Sequence, residues 1–156
     1  MTEIRDDFVH PAPQPHGLQA ADDVLSVIDQ VDNHLYKLDY ETGETLEKLP
    51  TETEHSSGVT LGGGHLWVAS TFTLELVQCN MDGSSVAKYD TPGKGIVAFG
   101  NPDNQRVSGA HGMEWIDDDN MWVAVPPAQR VYLMDPGTMT VKRSIPSPGN
   151  RPHGLF

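Results

Sequence analysis

The chain has 156 residues, 37% of them hydrophobic, with 12 prolines and 15 glycines. That lean apolar content and dense turn chemistry favour one all-β domain of short strands over a helical bundle. The formal net charge of −12 repels phosphate backbones and argues against a nucleic-acid partner, and no apolar window is long enough to span a bilayer.

In chain order, residues 3–10 read as a lone strand behind an acidic N-terminus with no signal-peptide character. A first unit, about 12–50, opens on Pro15-His16-Gly17-Leu18 and continues with an apolar run, Leu25-Ser26-Val27-Ile28-Asp29. Leu35-Tyr36-Lys37-Leu38-Asp39 follows, then the turn Glu41-Thr42-Gly43-Glu44 and a last run from Thr45 to Pro50. A second unit, about 51–90, repeats the order with Ser56-Ser57-Gly58-Val59, Leu66-Trp67-Val68-Ala69-Ser70, Leu76-Val77-Gln78-Cys79-Asn80 and Ser85 to Tyr89. Residues 91–106 fit no strand slot and read as an insertion between units. A third unit, about 107–146, carries Ala110-His111-Gly112-Met113, Met121-Trp122-Val123-Ala124-Val125, Val131-Tyr132-Leu133-Met134-Asp135 and Thr140 to Pro146. Pro152-His153-Gly154-Leu155 then begins the pattern again.

The anchors fall at 16, 57, 111 and 153, and four short strands follow each of the first three. Four-stranded units recurring at about 40 residues are the mark of a β-propeller. The expectation is therefore all-β: about three four-stranded antiparallel blades plus single strands at each end, one incomplete propeller domain over 1–156. Two explanations of the incompleteness are open. The chain is part of a longer one, the favoured reading, or it self-associates so that two copies complete a ring. Trp67, Trp122, Tyr36 and Tyr132 hold matching slots and read as packing between blades. The single cysteine, Cys79, sits where the other units have Leu38 and Met134, so a buried, inert thiol is expected. A cytoplasmic location is the default for such a chain.

These residues carry a resemblance. The combination of Pro15-His16-Gly17-Leu18, the run from Asp23 to Asp29 and the run from Asn33 to Glu44 resembles the propellers of the virginiamycin B lyase group. It is also similar to the neighbouring NHL and gluconolactonase-like groups. The resemblance covers the whole chain as a repeat pattern and implies the fold. For function it implies only a range, from lyases and lactonases to binding scaffolds. The histidine and glutamate that such lyases use lie in later blades, beyond Phe156.

The chemistry that this frame can carry lies at the anchors. The first strand of each blade lines a propeller's channel, which brings His16, His111 and His153 toward one axis. Three imidazoles suit a divalent metal with an open position for water or substrate, and Zn, Mg or Fe are the ions considered. The other role open to a repeated His-Gly is to bond the next blade's backbone. Glu114 and His55, together with His111, are candidate catalytic acids and bases. Lys94, Phe99 and Arg106 of the insertion are candidate contacts for a small-molecule substrate, the basic pair for an anionic group. The leading expectation is a metal-assisted lyase or hydrolase acting on a small molecule in the channel. The alternative is a non-catalytic ligand- or protein-binding scaffold.

Overall fold

The structure is a computed structural model that describes residues 11–21, 24–97 and 105–155. The expected strand at 3–10 and the candidate residue Phe99 lie outside the described residues. The first blade is built from β1 (Pro15–Ala21), β2 (Val24–Asp29), β3 (His34–Asp39) and β4 (Thr45–Pro50). The second has β5 (Ser56–Gly62), β6 (His65–Ser70), β7 (Glu75–Cys79) and β8 (Ser85–Asp90). A short pair follows, β9 (Gly95–Ile96) and β10 (Val107–Ser108), and then the third blade, β11 (Met113–Asp117), β12 (Asn120–Val125), β13 (Arg130–Asp135) and β14 (Thr140–Pro146). Each blade is a four-stranded antiparallel sheet with its strands in sequence order. No helix among the described residues is long and apolar enough to cross a membrane.

Burial falls from the second strand of each blade outward. The middle strand β6 is buried from Leu66 to Ser70, while the outermost β4 and β14 are almost wholly exposed. This is why the second strand of each unit reads as a continuous apolar run and the fourth does not. Two of the three buried clusters lie between blades, and the third, Ala12, Val27, Tyr36 and Leu38, lies on the first blade. Ile28 and Leu35 of the first blade pack with Val59, Leu66, Val68 and Val77 of the second. Trp67 and Leu76 of the second pack with Met113, Met121, Val123 and Met134 of the third. Trp67 is nearly inaccessible and Tyr36 is buried, whereas Trp122 is only half-buried and lies under the Arg143 guanidinium. Cys79 is fully buried.

The repeat extends to backbone detail. The residue before the third strand of each blade, Asn33, Leu74 or Gln129, has a left-handed φ of 55°, 65° or 52°. All three close the same tight connection in their own blade. The inner strands are also irregular at the anchor. In β1 the register shifts between Pro15 and Gly17, and in β5 between Ser56 and Gly58. His16 and Ser57 are thereby the bulged residues, which turns them out of the ladder.

Two expectations change. Residues 151–155 form no strand, because no neighbouring strand among the described residues pairs with them. They nonetheless lie beside the third blade, where the backbone of His153 packs on Gly112. The 91–106 insertion is also less irregular than its composition suggested, since Gly95 and Ile96 pair with Ser108 and Val107 to close its base.

Candidate functional site

The glycine after each anchor explains how the histidines meet. A Cβ on Gly17 would stand 2.9 Å from the Ser57 carbonyl oxygen, and one on Gly58 or Gly112 would overlap the carbonyl oxygen of His111 or His153. Each anchor glycine thus lets the next unit's anchor approach backbone to backbone. With the blades drawn in at that point, the anchor side chains crowd the axis.

His16, His111 and His153 each offer one ring nitrogen, and these atoms all lie within 4.8 Å of one another. Ring centroids are separated by 4.4 Å for His111 and His153, 5.5 Å for His16 and His153, and 6.0 Å for His16 and His111. The Nδ1 atoms of His111 and His153 are 3.3 Å apart. His16 Nδ1 lies 3.0 Å from the Ser57 carbonyl oxygen, which can only accept, so the Nδ1 carries a proton and donates it there. His111 is 4% exposed, and its Nε2 lies 3.3 Å from the Ser108 hydroxyl. Burial, reinforced by the neighbouring His153 and His16, pushes the His111 ring down to about 3. Burial likewise lowers the His153 ring below its usual value, helped by Arg151 and His16. Both rings are therefore held neutral near pH 7, the form that can donate a lone pair.

Ser57, in the equivalent slot, has a different duty. It is buried, with its hydroxyl 3.0 Å from Gln30 Nε2 and 2.7 Å from Thr71 Oγ1. Thr71 in turn donates to the Ala110 carbonyl at 2.9 Å. The serine ties three blades together where a fourth imidazole would otherwise stand.

The histidine layer separates two spaces. On one side a cavity of about 490 Å³ is walled by Leu18, Val59, Met113 and Leu155, the residues two positions beyond each anchor. On the other a cavity of about 470 Å³ opens to solvent past His55, Phe72, Arg106 and Arg151. His16 and His153 line both. At the open mouth the His55 ring stacks on Phe72 at 3.9 Å between centroids, with planes only 9° apart. The Arg106 guanidinium lies 5.5 Å from the centre of the same phenyl ring. Burial lowers the His55 ring, and His16 and Arg106 add to the effect.

Of the residues singled out from sequence, the three anchor histidines, His55 and Arg106 come together around this mouth. Glu114 and Lys94 line neither cavity. Glu114 holds the repeat slot of Gln19 and Thr60, whose side chains bond each other between the first two blades at 2.9 Å. Its own burial raises its carboxyl above the ordinary range. Lys94 is paired with Asp90 at 2.6 Å on the surface. Sequence reasoning missed Arg151, Gln30 and Thr71. Gln30 and Thr71 each directly follow the second strand of a blade, and Arg151 precedes its anchor by two residues in the slot of Gln14 and His55, which line the same cavity, so repeat register held a signal for all three.

The fold and its axial cluster define the class: a β-propeller with three histidines gathered at the channel. No family model and no curated sequence matches the chain. Among solved structures it is similar to selenomethionine-substituted virginiamycin B lyase from Staphylococcus aureus, with a TM-score of 0.63 and 16% identity over 94% of this chain and 47% of that one. It is similar to Kuenenia stuttgartiensis hydrazine synthase, with a TM-score of 0.63, 15% identity and coverage of 98% and 42%. It is also similar to Myxococcus xanthus glutaminyl cyclase, with a TM-score of 0.65, 16% identity and coverage of 85% and 53%. At such identities the likeness establishes the propeller fold and nothing finer. The chain spans about half the length of these structures.

Proposed function

We propose that this chain belongs to a metal-assisted lyase or hydrolase whose small-molecule substrate enters the mouth beside His55 and Arg106. The observation that carries the reading is the convergence of His16, His111 and His153, with ring nitrogens within 4.8 Å of one another. The donor set fits a metal. Two nitrogens bound to one tetrahedral zinc at the usual Zn–N length stand about 3.3–3.4 Å apart, and the Nδ1 atoms of His111 and His153 are 3.3 Å apart. Three nitrogen donors suit zinc or iron and disfavour magnesium, which takes oxygen ligands.

His16, His111 and His153 would hold the ion, and the Ser57 carbonyl would orient the first of them. When bound, the ion would supply an acidified water or polarise a substrate oxygen. His55, neutral near pH 7 and fixed flat on Phe72, would take or return a proton at the mouth. Glu114, which lines neither cavity, enters no step in this reading. A cytoplasmic setting, where Cys79 stays reduced, goes with it.

One observation favours the scaffold reading instead: His16 Nδ1 already bonds the next blade's backbone, as a purely structural anchor would. Elemental analysis separates the two. The metal reading expects close to one zinc or iron per chain in the native protein and almost none in His111→Ala. Metal-free native protein that resists reloading with zinc would leave the scaffold reading in place.

A further inference from the structure

The mouth of the channel differs in charge from the molecule around it. The chain carries 22 acidic against 10 basic residues. Yet among the described residues that line the outer cavity there is no aspartate or glutamate, while two arginines, Arg106 and Arg151, stand there. They reach it from different parts of the chain, one from the end of the insertion and one from just before the last anchor. Arg106 has no carboxylate partner among the described residues, and its guanidinium lies 5.5 Å from the Phe72 ring. Arg151 is near enough to act on the rings of His111 and His153.

Two guanidinium groups in one concave space concentrate positive potential on a chain that is otherwise acidic. We propose that this mouth binds the oxyanion group, carboxylate or phosphate, of a small anionic ligand, with Arg106 and Arg151 as its two clamps. Guanidinium suits this task because its fork of donors matches two oxygens at once. The acidic periphery keeps long polyanions away, and a space of about 470 Å³ takes a metabolite-sized molecule. Gln30 and Thr71, also on the wall, add neutral polar groups for the rest of the ligand. The proposal uses the preceding reading only to place the ligand's reactive part over the histidines; the anion site itself needs no metal.

The test is calorimetric titration of the full chain with inorganic phosphate and, separately, with succinate, before and after exhaustive chelation. Arg106→Gln and Arg151→Gln should each weaken binding about tenfold or more, and their lysine counterparts should restore part of it. Circular dichroism confirms that each variant is folded. Affinity should fall as sodium chloride rises, and chelation should leave it intact. A preference for one of the two probes identifies the headgroup as phosphate or carboxylate. Binding that survives both glutamine substitutions, no binding at all, or binding that vanishes on chelation overturns the proposal. The last outcome would leave the metal reading standing, whereas arginine-dependent binding by a protein that never takes up metal would remove the metal reading and keep this one.

Discussion

Gly58 lies against the backbone carbonyl of His111, so close that a methyl group on it would overlap the oxygen. The clash is with backbone, which cannot swing aside, so Gly58→Ala must push the second and third blades apart. We expect a loss of about 1–3 kcal/mol, the range of overpacked interiors. Gly17→Ala meets the next blade less tightly, at 2.9 Å, and should cost less. Urea unfolding of both variants checks the order. Equal midpoints for Gly58→Ala and the native chain would remove the account of how the anchors meet.

Metal uptake should depend on each anchor histidine and on little else. His16→Ala, His111→Ala and His153→Ala are each expected to lower zinc affinity by at least about a hundredfold, since each removes one of three ligands. Ser57→Ala should leave affinity close to native, because its hydroxyl bonds Gln30 and Thr71 and the carbonyl that orients His16 is retained. Zinc competition against a chromophoric chelator reads all four.

Acid should weaken the metal-free protein earlier than carboxylate chemistry alone would. His111 is held at about 3 in the folded chain by burial, against the usual 6.5. Between those values the unfolded chain binds the proton and the folded one does not, so stability is full above about pH 6.5 and drains away as pH falls toward 3. The unfolding midpoint should therefore drop from pH 7 to pH 5. In His111→Gln, which cannot titrate, that part of the slope should flatten. An unchanged slope would mean the ring is not kept neutral by folding.

Cys79 should be silent in the folded state. Burial pushes its thiol up to about 11, with a partial offset from Ser85, and the residue is fully buried. Thiolate is the reactive form, so a disulfide reagent at pH 8 should label native protein at least about a hundredfold more slowly than urea-unfolded protein.

Tyr36 donates to Asp32 at 2.6 Å, and Lys48 approaches the same carboxylate at 3.0 Å while lying 4.9 Å from the Tyr36 ring centre. Burial of Asp32 acts to raise its carboxyl, but the bonds from Tyr36 and Lys48 outweigh it and hold the group at about 2. Tyr36→Phe keeps the packing and removes one hydrogen bond to a charged group, so a loss of about 1–2 kcal/mol is expected by urea unfolding at pH 7. The difference should shrink below about pH 3.5, as the carboxylate begins to take up protons.

The fold was legible because a propeller repeats. Leu66 to Ser70 and Met121 to Val125 align by eye, and the strands fall within a residue or two of those runs. The candidate site was only half legible. His16, His111 and His153 share a repeat slot, and the fold brings one slot from each blade to the axis. Glu114 and Lys94 looked equally chemical in the linear chain. The first lines neither cavity and the second is held by Asp90 on the surface. Nothing in the spacing of residues tells which side of a strand meets the channel once a bulge has shifted the register.

The linear order of residues alone determined the four-stranded repeat and which residues share the anchor slot, because strand periodicity and turn chemistry are local. Only the tertiary structure decided that three of those residues bring ring nitrogens within 4.8 Å of one another, that Ser57 is a tie between blades, and that Arg106 and Arg151 line one cavity. Those facts depend on how closely one blade's glycine lets the next approach, and that distance is set by packing between segments some forty or more residues apart.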